Sequence, residues 1–223
     1  MLHGIGGRYY EVYFTGKWPN SRNDKEPTER YEAAKKWYKK YQENHPNSTS
    51  IGGSAISVAN GSSDEKLKYL FPNGTPTTKS GCEKYLTTVK VAITTRSGQK
   101  TEENIRIHKA VVKDVQDVFK AAQDAGFRIY HAEGYGFRTM NNGSSGKLSH
   151  HSYGIAIDIN VTENYSHRGS TIYAGKFWNP SKSQYSIPKN GVLVQAFKAK
   201  GWKWGGEWSG NYQDYMHFSF TGH

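Results

Sequence analysis

The stretch Ser149-His150-His151-Ser152-Tyr153-Gly154-Ile155-Ala156-Ile157-Asp158-Ile159-Asn160 concentrates imidazole and carboxylate groups that could share a divalent metal. On a single helix, His151 and Asp158 would lie on one face but about 10 Å apart along the axis, too far to hold one ion. Gly154 and the β-branched residues point instead to a turn carrying His151 that enters a strand. Ile155, Ile157 and Ile159 would then face the core, with Ala156, Asp158 and Asn160 on the other side. The small side chain at Ala156 would leave room for an ion. A catalytic zinc site usually has three protein ligands and one open position. The best third candidate is His217, in Gln213-Asp214-Tyr215-Met216-His217-Phe218-Ser219-Phe220. Alternation there sends Met216, Phe218 and Phe220 to one apolar face and His217 to the other. Asp214 can approach the same point only if it sits in a turn before that strand. Cys82 is the single cysteine, which excludes an internal disulfide framework and a cysteine-rich zinc site, so a metal would depend on His and carboxylates.

The pattern Ser149-x-His151-x-x-Gly154-x-Ala156-x-Asp158, followed much later by Asp214-x-x-His217, resembles the M15 metallopeptidases. That family includes D-alanyl-D-alanine carboxypeptidases and the L-alanyl-D-glutamate endopeptidases of bacterial and phage lysins. The resemblance runs from about residue 71 to the end of the chain. It implies the small α+β fold shared with Hedgehog signalling domains and DD-peptidases, Zn2+ as cofactor, and His151, Asp158 and His217 as its ligands. It also implies Asp214 as general base, with Glu207 a second candidate. Gly136-Phe137-Arg138-Thr139 is similar to the family's Gly-Tyr-Arg-Ser element, which implies that Arg138 faces the substrate and binds a carboxylate or stabilises an oxyanion. Phe137 stands where the family usually has Tyr.

Ser149, Tyr153 and Trp208 are candidate substrate contacts, each with a plainer reading beside it. Ser149 could simply order its turn, and Tyr153, Trp202, Trp204 and Trp208 could be packing residues. His150, next to His151, is expected as a neighbour and not a ligand. His3, His45, His108, His131, His167 and His223 read as ordinary surface or core residues. Asn160 and Asn164 could orient a ligand or shape a surface loop.

Several elements must position these groups. Residues 26–43 carry Tyr31, Ala34, Trp37, Tyr38 and Tyr41 at helical spacing. Residues 45–63 are rich in Pro, Asn, Ser and Gly and read as a linker. The expected division is a helical segment and linker over 1–68 and a peptidase domain over 69–223. Alternation predicts a strand at 88–95, followed by a polar turn and a helix over 107–125 that Gly126 ends. A short strand at 127–132, a polar loop at 139–147, a strand at 155–161, a long polar loop, a helix at 188–200 and a strand at 215–220 follow. The expected class is α+β, with a small, mostly antiparallel sheet and flanking helices.

The formal charge is +11 and the pI about 9.5, which favours an anionic partner, whether nucleic acid, an acidic membrane or a wall polymer. No nucleic-acid-binding motif is present, and Lys35-Lys36 and Lys39-Lys40 read as the solvated face of a helix. No apolar run is long enough to span a membrane. The opening MLHGIGGRYYEVYF lacks signal-peptide features, so the expected location outside the cell or in the wall would require another export route or a signal outside this chain. The functional expectation is a monomeric zinc peptidase acting on peptidoglycan stem peptides, with the L-alanyl-D-glutamate endopeptidase ahead of the D-alanyl-D-alanine carboxypeptidase. The alternatives are a non-catalytic, Hedgehog-like or wall-binding zinc module and, more distantly, a nucleic-acid binder.

Overall fold

The computed structural model describes residues 59–140 and 146–222. The helix expected at 26–43, most of the expected linker and the tip of the 139–147 loop lie outside them. The described residues fall in one compact unit, Val58–His223. In chain order its helices and strands are α1 (Ser63–Leu70), α2 (Lys79–Glu83), β1 (Leu86–Thr94), β2 (Lys100–His108), α3 (Val112–Asp124), β3 (Ala132–Glu133), β4 (Ala156–Ile159), β5 (Asn164–Arg168), β6 (Thr171–Trp178), α4 (Val192–Ala199), β7 (Lys203–Trp204), β8 (Tyr212–Asp214) and β9 (His217–Ser219). The class is the expected α+β with antiparallel pairing. Its strands are divided among three small sheets, ordered β1-β2, β3-β4-β9-β7 and β6-β5-β8.

Strand β1 forms where expected, with Val89, Val91 and Ile93 buried at a period of two. Its partner β2 occupies the segment expected to be a polar turn, and the pairing runs from Leu86 opposite His108 to Thr94 opposite Lys100. Residues 100–104 have no buried face, so only Ile105 and Ile107 carry the alternation. Those residues belong to the strand, and helix α3 therefore starts at Val112 and not at residue 107. Val115, Val118, Phe119 and Ala122 form its buried stripe against β1 and α4.

The 162–187 region, expected as a loop, contains β5 and β6. None of the β6 side chains is buried, so the hydrophobic pattern that would mark a strand is missing. The short strand expected at 127–132 shrinks to Ala132–Glu133. Residues before it run extended and are held individually, as when Thr94 N–H donates to Ile129 O at 2.7 Å.

The sheet that matters most for the site centres on β4. Ile155, Ile157 and Ile159 are fully buried, each contributing roughly 1.5–3 kcal/mol of apolar burial. On β9, Phe218 stacks on Phe197 of α4 with ring centroids 4.3 Å apart, so the apolar face of β9 looks toward that helix. His217 consequently faces the other way. Helix α1 starts at a Ser62–Glu65 capping box. Its buried Lys66 donates to Gly201 O at 2.6 Å and Phe220 O at 2.8 Å.

The chain leaves β4 through Asn160, whose φ of 48° is left-handed. The Asn160 side chain supports that turn. Its Oδ1 accepts from Tyr130 N–H at 2.9 Å, and its Nδ2 donates to Arg128 O at 2.8 Å and Tyr185 O at 3.2 Å. Asn164 Nδ2 donates to Asn160 O at 3.0 Å, and its Oδ1 accepts from Ile187 N–H at 2.6 Å. Both asparagines are fully buried scaffold residues and not parts of a surface loop.

Candidate metal centre

Three elements bring His151, Asp158 and His217 together. Residues His150–Tyr153 form one 3-10 turn capped by Ser149, and Gly154 ends it with a φ of 66°. Only glycine suits that position. A Cβ there would lie 2.6 Å from Leu86 Cδ2 and 2.7 Å from His108 N, besides the cost of a left-handed backbone. The chain then enters β4, where Asp158 lies directly across the antiparallel pair from His217 of β9.

The result is a tight cluster. His217 Nδ1 lies 2.9 Å from Asp158 Oδ1, and His151 Nε2 lies 3.2 Å from Asp158 Oδ2 and 3.3 Å from His217 Nδ1. One ligand atom from each residue lies within 4.8 Å of the others. His151 and His217 are 2% and 7% exposed, so little water screens the group. His151 Nδ1 is 2.6 Å from the Gly134 carbonyl. That contact places the proton on Nδ1 and leaves a lone pair on Nε2. This lone pair points at an anionic oxygen and at another ring nitrogen. A shared cation, or an added proton, removes that conflict, and the His2Asp donor set suits zinc. Burial pushes the Asp158 carboxyl up, but the two imidazoles more than offset it and hold it well below the usual carboxylate range.

Asp214 reaches the neighbourhood from a different sheet. It ends β8, and Tyr215–Met216 turn the chain into β9, so the break required between Asp214 and His217 exists. Asp214 pairs across the ladder with Ser166 of β5. Its Oδ1 is buried and has no hydrogen-bond partner among the described residues. Burial, reinforced by the nearby Asp158 carboxylate, pushes its pKa up to about 6 against the pull of His217. A carboxylate raised in this way is a stronger base than an ordinary aspartate. Glu207 instead pairs with Lys198 Nζ at 2.8 Å on the surface.

Arg138 stands at the rim, half exposed, with Nη2 3.9 Å from Asp158 Oδ2. Its backbone is tied to the His151 turn. Arg138 N–H donates to Ser152 Oγ at 2.9 Å, while its carbonyl accepts from Ser149 N–H at 2.9 Å and from Ser152 Oγ at 2.7 Å. Ser149 therefore builds the turn, and its Oγ faces His151 N–H at 3.4 Å. His150 is a neighbour as expected, with Nδ1 2.6 Å from Thr221 Oγ1.

The aromatic candidates separate clearly. Trp208 lies beside His217, with centroids 5.4 Å apart. Trp202 and Trp204 are 1% exposed and belong to the core. Tyr153 is 9% exposed and packs on Phe71 at 5.4 Å, in the cluster behind the turn, so as a candidate substrate contact it is not brought to the metal-facing side. Two contributors were missed in the sequence: Ser152 and the Gly134 carbonyl. Ser152 sits inside the motif, between His151 and Tyr153, and its hydroxyl bonds the Arg138 backbone. A backbone carbonyl leaves no mark of its own in side-chain spacing.

Among known proteins, residues 142–220 match a peptidase M15 family model described as D-alanyl-D-alanine carboxypeptidase. The matched segment contains His151, Asp158, Asp214 and His217 and leaves Arg138 outside. It supports the M15 resemblance and, with it, a peptidase. No solved structure matches the chain significantly.

Proposed function

We propose that this chain, M15-like over residues 142–220, is a zinc-dependent peptidase that hydrolyses peptidoglycan stem peptides. The observation that carries the reading is the buried His151–Asp158–His217 cluster, in which one ligand atom from each residue lies within 4.8 Å of the others. Bound there, zinc would supply a Lewis acid that polarises a carbonyl and lowers the pKa of water to about 7. His151 would offer Nε2, fixed by the Gly134 carbonyl at its other nitrogen. Asp158 would offer a carboxylate already held ionised, and His217 would offer Nδ1.

Asp214 would take the proton of the attacking water and later return it to the leaving amine, a role suited to a buried carboxylate whose Oδ1 has no hydrogen-bond partner among the described residues. Arg138 presents a permanent planar cation at the rim, able to hold a stem-peptide carboxylate or the developing oxyanion. Trp208 forms one wall of the approach. The Asp-x-x-His ending favours the bond between L-Ala and D-Glu. The description of the matched family model favours the alternative, removal of terminal D-Ala. The net charge of +11 suits a monomer working among anionic wall polymers outside the cell or in the wall.

Mass spectrometry of peptidoglycan fragments incubated with the protein, with and without a chelator, tests the reading. A chelator-sensitive new D-Glu amine establishes the endopeptidase, and free D-Ala establishes the carboxypeptidase. No new terminus with zinc supplied refutes both and moves the wall-binding module to first place.

A further inference from the structure

An aromatic track leaves the metal cluster and runs onto the β6-β5-β8 sheet. From His217 the first step is 5.4 Å to Trp208, the second 5.3 Å to Tyr212, and the third 6.2 Å to Tyr173. Strand alternation puts Tyr212 and Asp214 on one face of β8. Opposite them on β5 lie Arg168 and Ser166, so all four share that face. The Arg168 guanidinium lies 5.2 Å from the Tyr212 ring centroid. A register shift in the β5–β6 ladder, between Ser166 opposite Ala174 and His167 opposite Ile172, leaves Tyr173 as the extra residue of a bulge. Tyr173 is 62% exposed, and its ring meets Tyr212 edge to face. The Trp208 indole nitrogen, shielded from solvent, has no hydrogen-bond partner among the described residues.

We propose that this face binds the amino-sugar ring to which the stem peptide is attached, with the exposed Tyr173 ring as its platform and Tyr212 edge-on beside it. The inference rests on the peptidase reading for its substrate class. Rings with polar edges suit a sugar, which offers an apolar C–H face and a polar rim, and the Arg168 guanidinium beside Tyr212 supplies donors for that rim.

Calorimetric titration of the full, zinc-supplied chain with the N-acetylglucosaminyl–N-acetylmuramic acid disaccharide, which carries no peptide, tests the surface without relying on cleavage. Saturable binding is expected, weakened about tenfold in Tyr173→Ala and largely kept in Tyr173→Trp. Absent binding, or binding indifferent to Tyr173→Ala, overturns the proposal. So does a change in sedimentation with no change in sugar binding, which would make the face a contact between copies of the chain. Cleavage of a disaccharide-bearing stem peptide is then compared with cleavage of the free peptide. The preference for the sugar-bearing substrate, expected at about tenfold or more in kcat/KM, should collapse toward one in Tyr173→Ala. Equal cleavage of both substrates by the unmodified chain refutes the platform while leaving the peptidase intact. Sugar binding that depends on Tyr173 without cleavage of either substrate keeps the platform and refutes the peptidase.

Discussion

His108 ties the β1–β2 hairpin to the turn that carries His151, and its protonation should set the acid limit of the fold. The ring is 3% exposed, stacked on Tyr85 at 5.6 Å and edge-on to Phe71 at 5.3 Å. Its backbone N–H donates to Gly154 O at 2.8 Å. Burial, with Lys109 adding to it, pushes the imidazole pKa down to about 4. Nδ1 also accepts from Ala110 N–H at 3.1 Å, and protonation there would convert that acceptor into a donor. In the unfolded chain the same ring titrates near 6.5. The unfolded state therefore binds a proton first, and stability present above pH 6.5 is lost as the pH falls toward 4. The whole window is worth about 3 kcal/mol, of which roughly 2 kcal/mol is gone by pH 5. His108→Asn removes the titration while keeping an acceptor for the Ala110 N–H. Urea melts of both proteins at pH 7.5 and pH 5 should show the parent losing about 2 kcal/mol more than the variant between the two conditions. An equal loss in both would refute the argument that burial holds His108 neutral.

Two other substitutions probe the site. Asp214→Asn should keep zinc uptake but lower kcat on peptidoglycan fragments by about 10²–10⁴, read as the rate of new-terminus release; full activity would remove the aspartate from its role as base. Gly154→Ala should cost on the order of 1–3 kcal/mol in thermal or urea melts, because its Cβ would sit 2.7 Å from His108 N on a left-handed backbone, and it should weaken metal uptake by displacing the His151 turn.

The centre was legible where residue type and strand period agreed. Three isoleucines alternating with Ala156 and Asp158 specify a strand with one strongly apolar face, and Met216, Phe218 and Phe220 do the same for its partner. From those two strands the opposition of Asp158 and His217 follows once they pair. What stayed hidden were strands without an apolar face. β6 has no fully buried side chain, and the first half of β2 is exposed on both sides, so neither carries the alternation that marks a half-buried strand. Asn160 and Asn164 were equally hard to place, since a polar side chain satisfied by four backbone groups looks in sequence like a loop residue. Asp214 was assigned to a turn before β9, and the structure instead ends a strand of another sheet there. The spacing alone requires only that the chain break between the two residues.

The central claim is that His151, Asp158 and His217 share one zinc ion, and metal stoichiometry tests it most directly. After zinc loading and exhaustive dialysis, elemental mass spectrometry should find one zinc per unmodified chain. A saturated site should raise stability by about 2.7 kcal/mol at a free zinc concentration one hundred times Kd. Asp158→Ala and the double variant His151→Ala, His217→Ala should retain none and show no such stabilisation. Zinc at one per chain in the double variant would contradict the account and place the metal elsewhere.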